Sequence, residues 1–168
     1  MGRNRNGEDR VPDVGDLPCA CATARRVARV LTQIYDAHLH SSGIESAQFA
    51  LLSLVASAGS STQAAIGQRF GYDKTTLSRN LKLLRDRGWI ELAGTRSGRE
   101  RPYVVTAAGQ DRLRRARPAW RRAQASIRET MGADDWQAMW AAFGRITAAG
   151  HMVRAAAAAT RRSRLGVR

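Results

Sequence analysis

The chain has 168 residues, of which 43% are hydrophobic, enough for one domain with an apolar core and little more. Its 28 lysines and arginines against 14 acidic residues give a net charge of +14, most of it in residues 111–168. Such an excess favours polyanions such as nucleic acid. No run reaches the roughly 18 apolar residues of a membrane helix, and residues 1–10 lack an apolar signal segment. We therefore expect a cytoplasmic protein without a membrane partner.

The first part of the chain predicts an arm and two helices. Residues 1–17 are polar and interrupted by glycine and proline, which is typical of a flexible N-terminal arm. Residues 19–40 predict a helix, because apolar side chains recur every three to five positions. These side chains are Val27, Val30, Leu31, Ile34 and Leu39. Residues 46–58 are apolar almost all round, which indicates a second helix that is fully buried.

A helix-turn-helix is predicted next. Thr62 is a suitable N-cap for a short helix over residues 63–70. Asp73 is a natural N-cap for a second helix over residues 74–87, because its carboxylate accepts free backbone N–H groups. Gly88 would end that helix. Its buried face would consist of leucines at i, i+4 and i+7, namely Leu77, Leu81 and Leu84.

A hairpin and two further helices complete the prediction. Residues 89–92 and 103–106 resemble short strands joined by a loop with two glycines and three arginines. Thr106 would cap a long, arginine-rich helix that starts near Ala108, and the last helix starts near residue 132. The last helix has an apolar stripe formed by Trp136, Met139, Trp140, Phe143 and Ile146.

These elements predict a mainly α fold with a small two- or three-stranded β-wing. In this fold a winged helix-turn-helix is flanked by N- and C-terminal helices whose apolar stripes lack cover, which indicates a homodimer. The expected organisation is an arm, a dimerisation helix, a DNA-binding region, dimerisation helices and a basic tail. Their boundaries are 1–17, 18–45, 46–109, 110–158 and 159–168.

The second helix of a helix-turn-helix can enter a DNA major groove. Once its leucines are buried, the outer face carries side chains that read bases or bind phosphates. These are Lys74, Thr75, Thr76, Ser78, Arg79 and Lys82. The hairpin tip adds cations suited to a narrow minor groove, namely Arg96, Arg99 and Arg101. A solvated basic face is the alternative for the helix alone, but helix and wing together favour double-stranded DNA as partner.

The chain resembles the MarR family of transcriptional regulators over about residues 19–155. The resemblance is carried by "GIESAQFALL" at 43–52, "STQAAIGQRFGYDKTTLSRNLKLLRDRGWI" at 61–90 and "RPYVVTAAG" at 101–109. It implies an obligate homodimer that binds a pseudo-palindromic operator, usually as a repressor. The wing departs from the family pattern, because Ser97 replaces the aspartate that precedes the wing-tip arginine, here Arg99.

The family resemblance implies two kinds of control, which the sequence leaves open. Cys21, with Cys19 beside it, lies near the start of the first helix, as does the reactive cysteine of the peroxide-sensing OhrR subgroup. A small effector is the alternative. Its predicted cleft is lined by Tyr35, His38, Phe49, Leu52 and Trp89, each of which is otherwise an ordinary core residue.

Other chemistry finds little support in the sequence. Cys19, Cys21, His38 and His40 carry metal-ligating atoms, but roughly 25 Å of helix separates the two pairs. We therefore expect no metal and no cofactor. The chain has no P-loop, GxGxxG, HExxH or GxSxG motif, and its three histidines are spread widely, so we expect no enzyme. The alternatives are a non-specific architectural DNA binder and a thiol-dependent enzyme.

Overall fold

The computed structural model describes residues 13–14, 17–94 and 101–165. Its elements are β1 (Asp13–Val14), β2 (Leu17–Pro18), α1 (Ala20–Leu39), α2 (Ser46–Ala58), α3 (Gln63–Phe70), α4 (Lys74–Asp86), β3 (Ile90–Leu92), β4 (Tyr103–Val105), α5 (Ala107–Met131) and α6 (Ala133–Leu165). The predicted mainly α fold with a small β-wing is confirmed. No helix in these ranges combines the length and apolarity that crossing a bilayer requires. The chain divides into two compact units, the first ending at Ala123.

The predicted N-terminal arm lies mostly outside the described residues. Within it, β1 and β2 form a two-residue antiparallel pair, in which Asp13 is opposite Pro18 and Val14 is opposite Leu17. Helix α1 begins directly after Cys19 and ends at Leu39, which agrees with the helix that the apolar periodicity predicted over residues 19–40.

Side-chain caps set the starts of the central helices. The Thr62 hydroxyl accepts from the Ala65 N–H at 3.3 Å, and the Asp73 carboxylate accepts from the Thr76 N–H at 2.9 Å. Both caps are those that the sequence predicted. Such caps stabilise a helix because they satisfy backbone donors that have no partner inside its first turn. Helices α3 and α4 therefore start where local chemistry places them.

The core of the first unit surrounds α2 and the inner face of α4. Its largest fully buried side chains are all aliphatic: Leu39, Leu51, Leu52, Val55, Ile66, Leu77, Leu81, Leu84 and Ile90. The three leucines of α4 belong to this set, which confirms the predicted buried face. Their burial turns the opposite face of α4 toward solvent.

The wing is a two-stranded antiparallel hairpin with one further bridge. Ile90, Glu91 and Leu92 are opposite Val105, Val104 and Tyr103. Ser61, ahead of α3, also pairs with Tyr103 through two backbone hydrogen bonds of 2.9 and 3.4 Å. This bridge is a one-residue third strand, and it ties the base of the wing to the start of the helix-turn-helix.

The second unit consists of the end of α5 and the 33-residue α6. Edge-to-face contacts at 5.7 and 6.1 Å join Trp136, Trp140 and Phe143. Part of the predicted apolar stripe is exposed in the described structure, since Trp140 is 52% exposed and Ile146 is 68% exposed. Helix α6 continues to Leu165, so most of the basic tail predicted at 159–168 is helical.

Candidate nucleic-acid interface and adjoining cavity

The outer face of α4 presents every side chain that the sequence predicted there. All six are exposed, whereas the leucines on the opposite face are at most 1% exposed. They are Lys74, Thr75, Thr76, Ser78, Arg79 and Lys82. We call this row the α4 outer face. It combines cations with hydroxyl groups on one accessible helix, which is the chemistry that DNA grooves accept.

Some side chains of the α4 outer face already interact with other groups of the protein, and others do not. Hydrogen bonds from Thr76, first from its side chain and then from its backbone, hold the pKa of the exposed Asp73 carboxyl below its usual value. Lys82 forms an ion pair with Asp86 at 2.5 Å. Within the described part of the chain, the Arg79 side chain has neither a hydrogen bond nor an ion pair. Among the cations of this face, Lys82 is therefore paired, whereas the side chains of Lys74 and Arg79 have no partner in the described residues.

The turn ahead of α4 is held by a side-chain bridge. The Gln63 amide donates to the Lys74 carbonyl at 3.3 Å, which links the first turn of α3 to the first turn of α4. The α4 outer face therefore begins at a point that α3 helps to fix. Such preorganisation lowers the ordering cost of a contact made there.

The described wing arginine braces the hairpin. Arg101 donates to the Leu92 carbonyl at 2.7 Å and to the Ala93 carbonyl at 3.5 Å, across the base of the loop. Its charge remains exposed, so it can still attract phosphate while it holds the strands together. The predicted contacts Arg96 and Arg99, and the substitution at Ser97, lie outside the described residues.

An open cavity of about 780 Å³ lies between α1, α2 and α5. Of the five predicted cleft residues, Tyr35 and Phe49 line it. The other three predicted cleft residues do not line this cavity. Leu52 is fully buried in the core, Trp89 is buried with two arginine guanidinium groups near its ring, and His38 is not among the lining residues.

The sequence interpretation missed the cavity wall that α5 supplies. Trp120 stacks on Phe49 with ring centroids 5.9 Å apart, and Arg117 and Arg121 line the cavity beside it. In the described residues neither arginine has a hydrogen bond or an ion pair. The sequence did contain a signal for this wall, because Arg117 and Arg121 are spaced i and i+4 on α5 with Trp120 between them. Partial burial raises the pKa of the Tyr35 phenol, so this side chain stays a neutral donor near pH 7.

Both cysteines are free thiols at the start of α1. The Cys19 sulfur caps the helix by accepting from the Ala22 N–H at 3.5 Å, and Cys21 is exposed in the first turn. The position of Cys21 at a helix start is as predicted. Over the described ranges, no group of three potential ligands is arranged to hold a metal ion.

Comparison with known proteins now identifies the family. The MarR family model matches residues 42–100, which include α2, α3, α4 and β3. The M. tuberculosis transcriptional regulator MosR, solved in complex with DNA, is 34% identical, with a TM-score of 0.72. That alignment covers 81% of this chain and 98% of MosR. The chain belongs to the MarR family.

More distant MarR-like structures share the fold. The PcaV regulator of Streptomyces coelicolor, in complex with its natural ligand, is 20% identical with a TM-score of 0.71, over 83% of this chain and 99% of PcaV. The oxidized form of E. coli MarR is 19% identical with a TM-score of 0.64, over 79% of this chain and 96% of that one. The comparison with curated proteins gives no match.

Proposed function

We propose that this MarR-family protein is a sequence-specific DNA-binding transcriptional regulator that represses from a pseudo-palindromic operator. The observation that carries this proposal is the α4 outer face, an exposed row of cations and hydroxyls on a helix whose other face is anchored in the core. The structure of MosR with DNA supports it. In this proposal Arg79 reads a base, Lys74 and Lys82 bind phosphates, and Arg96, Arg99 and Arg101 approach the minor groove.

The active form in this proposal is a homodimer. Val27 and Val30 on α1 are 39% and 47% exposed, and on α6 Trp140 and Ile146 are 52% and 68% exposed. A second copy would bury both sets, and burial of apolar area is the main favourable term in such association. We assign residues 18–45 and 110–158 to the dimer and residues 46–109 to DNA. Two recognition helices then require half-sites about 10 bp apart.

Control is proposed through a small effector or through thiol oxidation. The cavity joins aromatic walls to Arg117 and Arg121, which suits a flat apolar molecule with an acidic group. PcaV has been solved with its natural ligand, which supports the effector route. The exposed Cys21 and the oxidized form of E. coli MarR support the thiol route. We further propose a cytoplasmic location and no enzymatic activity, since the relatives are regulators.

The decisive experiment is fluorescence anisotropy with DNA from upstream of the protein's own gene, at about 150 mM salt. A scrambled duplex of the same length is the control. Selective binding with one dimer per site is the expected result. Equal affinity for both duplexes would favour the architectural alternative. Release by an organic peroxide that Cys21→Ser abolishes would select the thiol route through Cys21, and a wild-type protein that does not respond to peroxide would favour the effector route.

A further inference from the structure

A polar cluster lies at the C-terminal end of α4, apart from both the α4 outer face and the cavity. Its centre is Trp89, which is 6% exposed. The Arg87 guanidinium lies 5.0 Å from the indole centroid, and the Arg112 guanidinium lies 5.2 Å from it. Both distances are within the range of cation–π attraction. Arg87 is the C-cap of α4 and Arg112 belongs to the second turn of α5, so the indole joins two helices.

Each of these arginines also reaches the junction between α1 and α2. Arg87 donates to the Gln48 side-chain oxygen at 3.0 Å, and Arg112 donates to the Ser42 carbonyl. Charge-assisted hydrogen bonds of this kind are stronger than neutral ones. The end of α4 is therefore tied to the α1–α2 junction as well as to its own hairpin.

Gln48 is the unusual member of this cluster. It is the one polar side chain among the buried residues that the structure describes, and it lies on the most apolar helix of the chain. Burying an amide costs free energy unless it is hydrogen-bonded. Its oxygen accepts from both the Glu45 N–H, at 3.3 Å, and Arg87. The capping box with Glu45 holds this oxygen in place independently of Arg87.

We propose that Gln48 is a positioning residue for DNA recognition, which sets the direction of α4 by holding Arg87. Helix α4 has 13 residues and is therefore about 20 Å long. A small rotation at its C-terminal end displaces the α4 outer face at the other end. The inference rests on the proposed function, because it explains how that face keeps its register with the bases.

The same turn of α2 also meets the cavity. Ser46 lines the cavity, and its backbone N–H donates to the Asp36 carboxylate at 2.7 Å. Gln48 follows two residues later. A molecule that displaces the first turn of α2 would therefore act on Arg87 through Gln48. Loss of the hydrogen bond between Gln48 and Arg87 should lower selectivity for the operator more than it lowers affinity for DNA in general.

The test compares Gln48→Met with Gln48→Glu in the full chain. Methionine matches the size of glutamine but accepts no comparable hydrogen bond, whereas glutamate keeps the acceptor. The specific duplex is the one that the wild-type protein selects from a random library, and the reference is a scrambled duplex. We expect Gln48→Met to lower the ratio of the two affinities about tenfold. Affinity for the scrambled duplex should stay near the wild-type value, and Gln48→Glu should retain selectivity.

A double-mutant cycle separates positioning from folding. Arg87→Met removes the same hydrogen bond from the other side, and all binding is measured below the unfolding transition of each variant. If the two residues act through each other, the double variant loses no more selectivity than Arg87→Met alone, which also removes the contact with the Trp89 ring. Additive losses, or unchanged selectivity in a folded single variant, would overturn the proposal. Should Gln48→Met not fold, Arg87→Met tests this hydrogen bond together with the contact of Arg87 with the Trp89 ring, and unchanged selectivity in that variant would still overturn the proposal. A wild-type protein that selects no sequence would overturn the proposed function and this role together.

Discussion

Helices α4 and α5 are both basic and amphipathic, yet they use their cations differently. On α4, Arg79 extends into solvent without a partner in the described chain. On α5, Arg112 is held by Trp89 and the Ser42 carbonyl, and Arg114 and Arg115 both pair with Asp111. The difference teaches that net charge does not locate a nucleic-acid surface. The partners that each cation already has, and whether it lines a cavity as Arg117 and Arg121 do, are the better guide.

The two helices also differ in what fixes their first turn. Asp73 caps α4 through a side chain in solvent, whereas α5 begins against the backbone of the wing. Thr106 donates its hydroxyl to the Gly88 carbonyl at 2.6 Å and accepts from the Gly109 N–H at 3.1 Å. Gly109 itself is buried. The start of α5 therefore depends on close packing, and the start of α4 on electrostatics.

The largest effect that we expect is from Gly109→Ala. A Cβ atom at this position would lie 2.1 Å from the Trp89 carbonyl oxygen and 2.7 Å from a Val105 methyl carbon. Since the carbonyl belongs to the backbone, α5 and the wing must move apart. We expect a loss of roughly 1–3 kcal/mol or more in the free energy of unfolding, measured in urea. Gly144→Ala is the matched control, because in the described residues the added carbon would have no neighbour within 4 Å beyond the adjoining residues and backbone of its own helix. An equal change in the free energy of unfolding of both variants would contradict the claim that close packing at Gly109 holds the start of α5.

Arg79→Ala tests the contrast between an unpaired arginine on α4 and the paired arginines on α5. We expect it to reduce discrimination at one base position in each half-site by roughly 1–3 kcal/mol, because arginine can bind guanine through two hydrogen bonds. The measurement is anisotropy with duplexes substituted at single positions. Arg115→Ala on α5 removes an equally exposed arginine that is paired with Asp111, and it should leave discrimination unchanged. Uniform weakening on every duplex would make Arg79 a phosphate contact instead.

Much of the fold could be predicted because its signals are local. Helix α2 covers residues 46–58 as predicted, and α4 begins at the predicted cap and buries the predicted leucines. Capping chemistry and 3.6-residue periodicity act within one or two turns, so a single sequence contains them. The α4 outer face followed directly, since what the leucines leave exposed is determined by helix geometry.

The cavity and the polar cluster depend on long-range contacts, which the sequence does not display. Leu52 and Phe49 are both apolar residues of α2, and periodicity does not distinguish a core position from a cavity wall. The donor that reaches Gln48 is 39 positions away along the chain. Trp89 was predicted in the cleft, but it lies outside the cavity lining, with two arginine guanidinium groups near its ring. The positions of these residues in the fold are set by tertiary packing, which the local sequence pattern does not contain.

The smallest effect that we expect concerns acid and the first turn of α4. The pKa of Asp73 is lowered by its hydrogen bonds with Thr76, so the folded state binds this proton more weakly than the unfolded state. The cap therefore stabilises the protein above the unfolded value of about 3.9. This stabilisation is lost as the pH falls through the lowered folded pKa. Asp73→Asn is the matched control, because asparagine caps helices as well but does not titrate.

The measurement is the melting temperature of both proteins between about pH 6 and pH 2.5, which brackets the ordinary aspartate pKa. The wild-type protein should lose more stability than Asp73→Asn below pH 4, while Asp73→Ala should be less stable than Asp73→Asn throughout. Parallel acid curves for the wild-type and Asn proteins would mean that the ionised carboxylate does not hold the start of α4. The α4 outer face would then owe its position to the leucines and to the Gln63 bridge, and the electrostatic half of the contrast with α5 would fail.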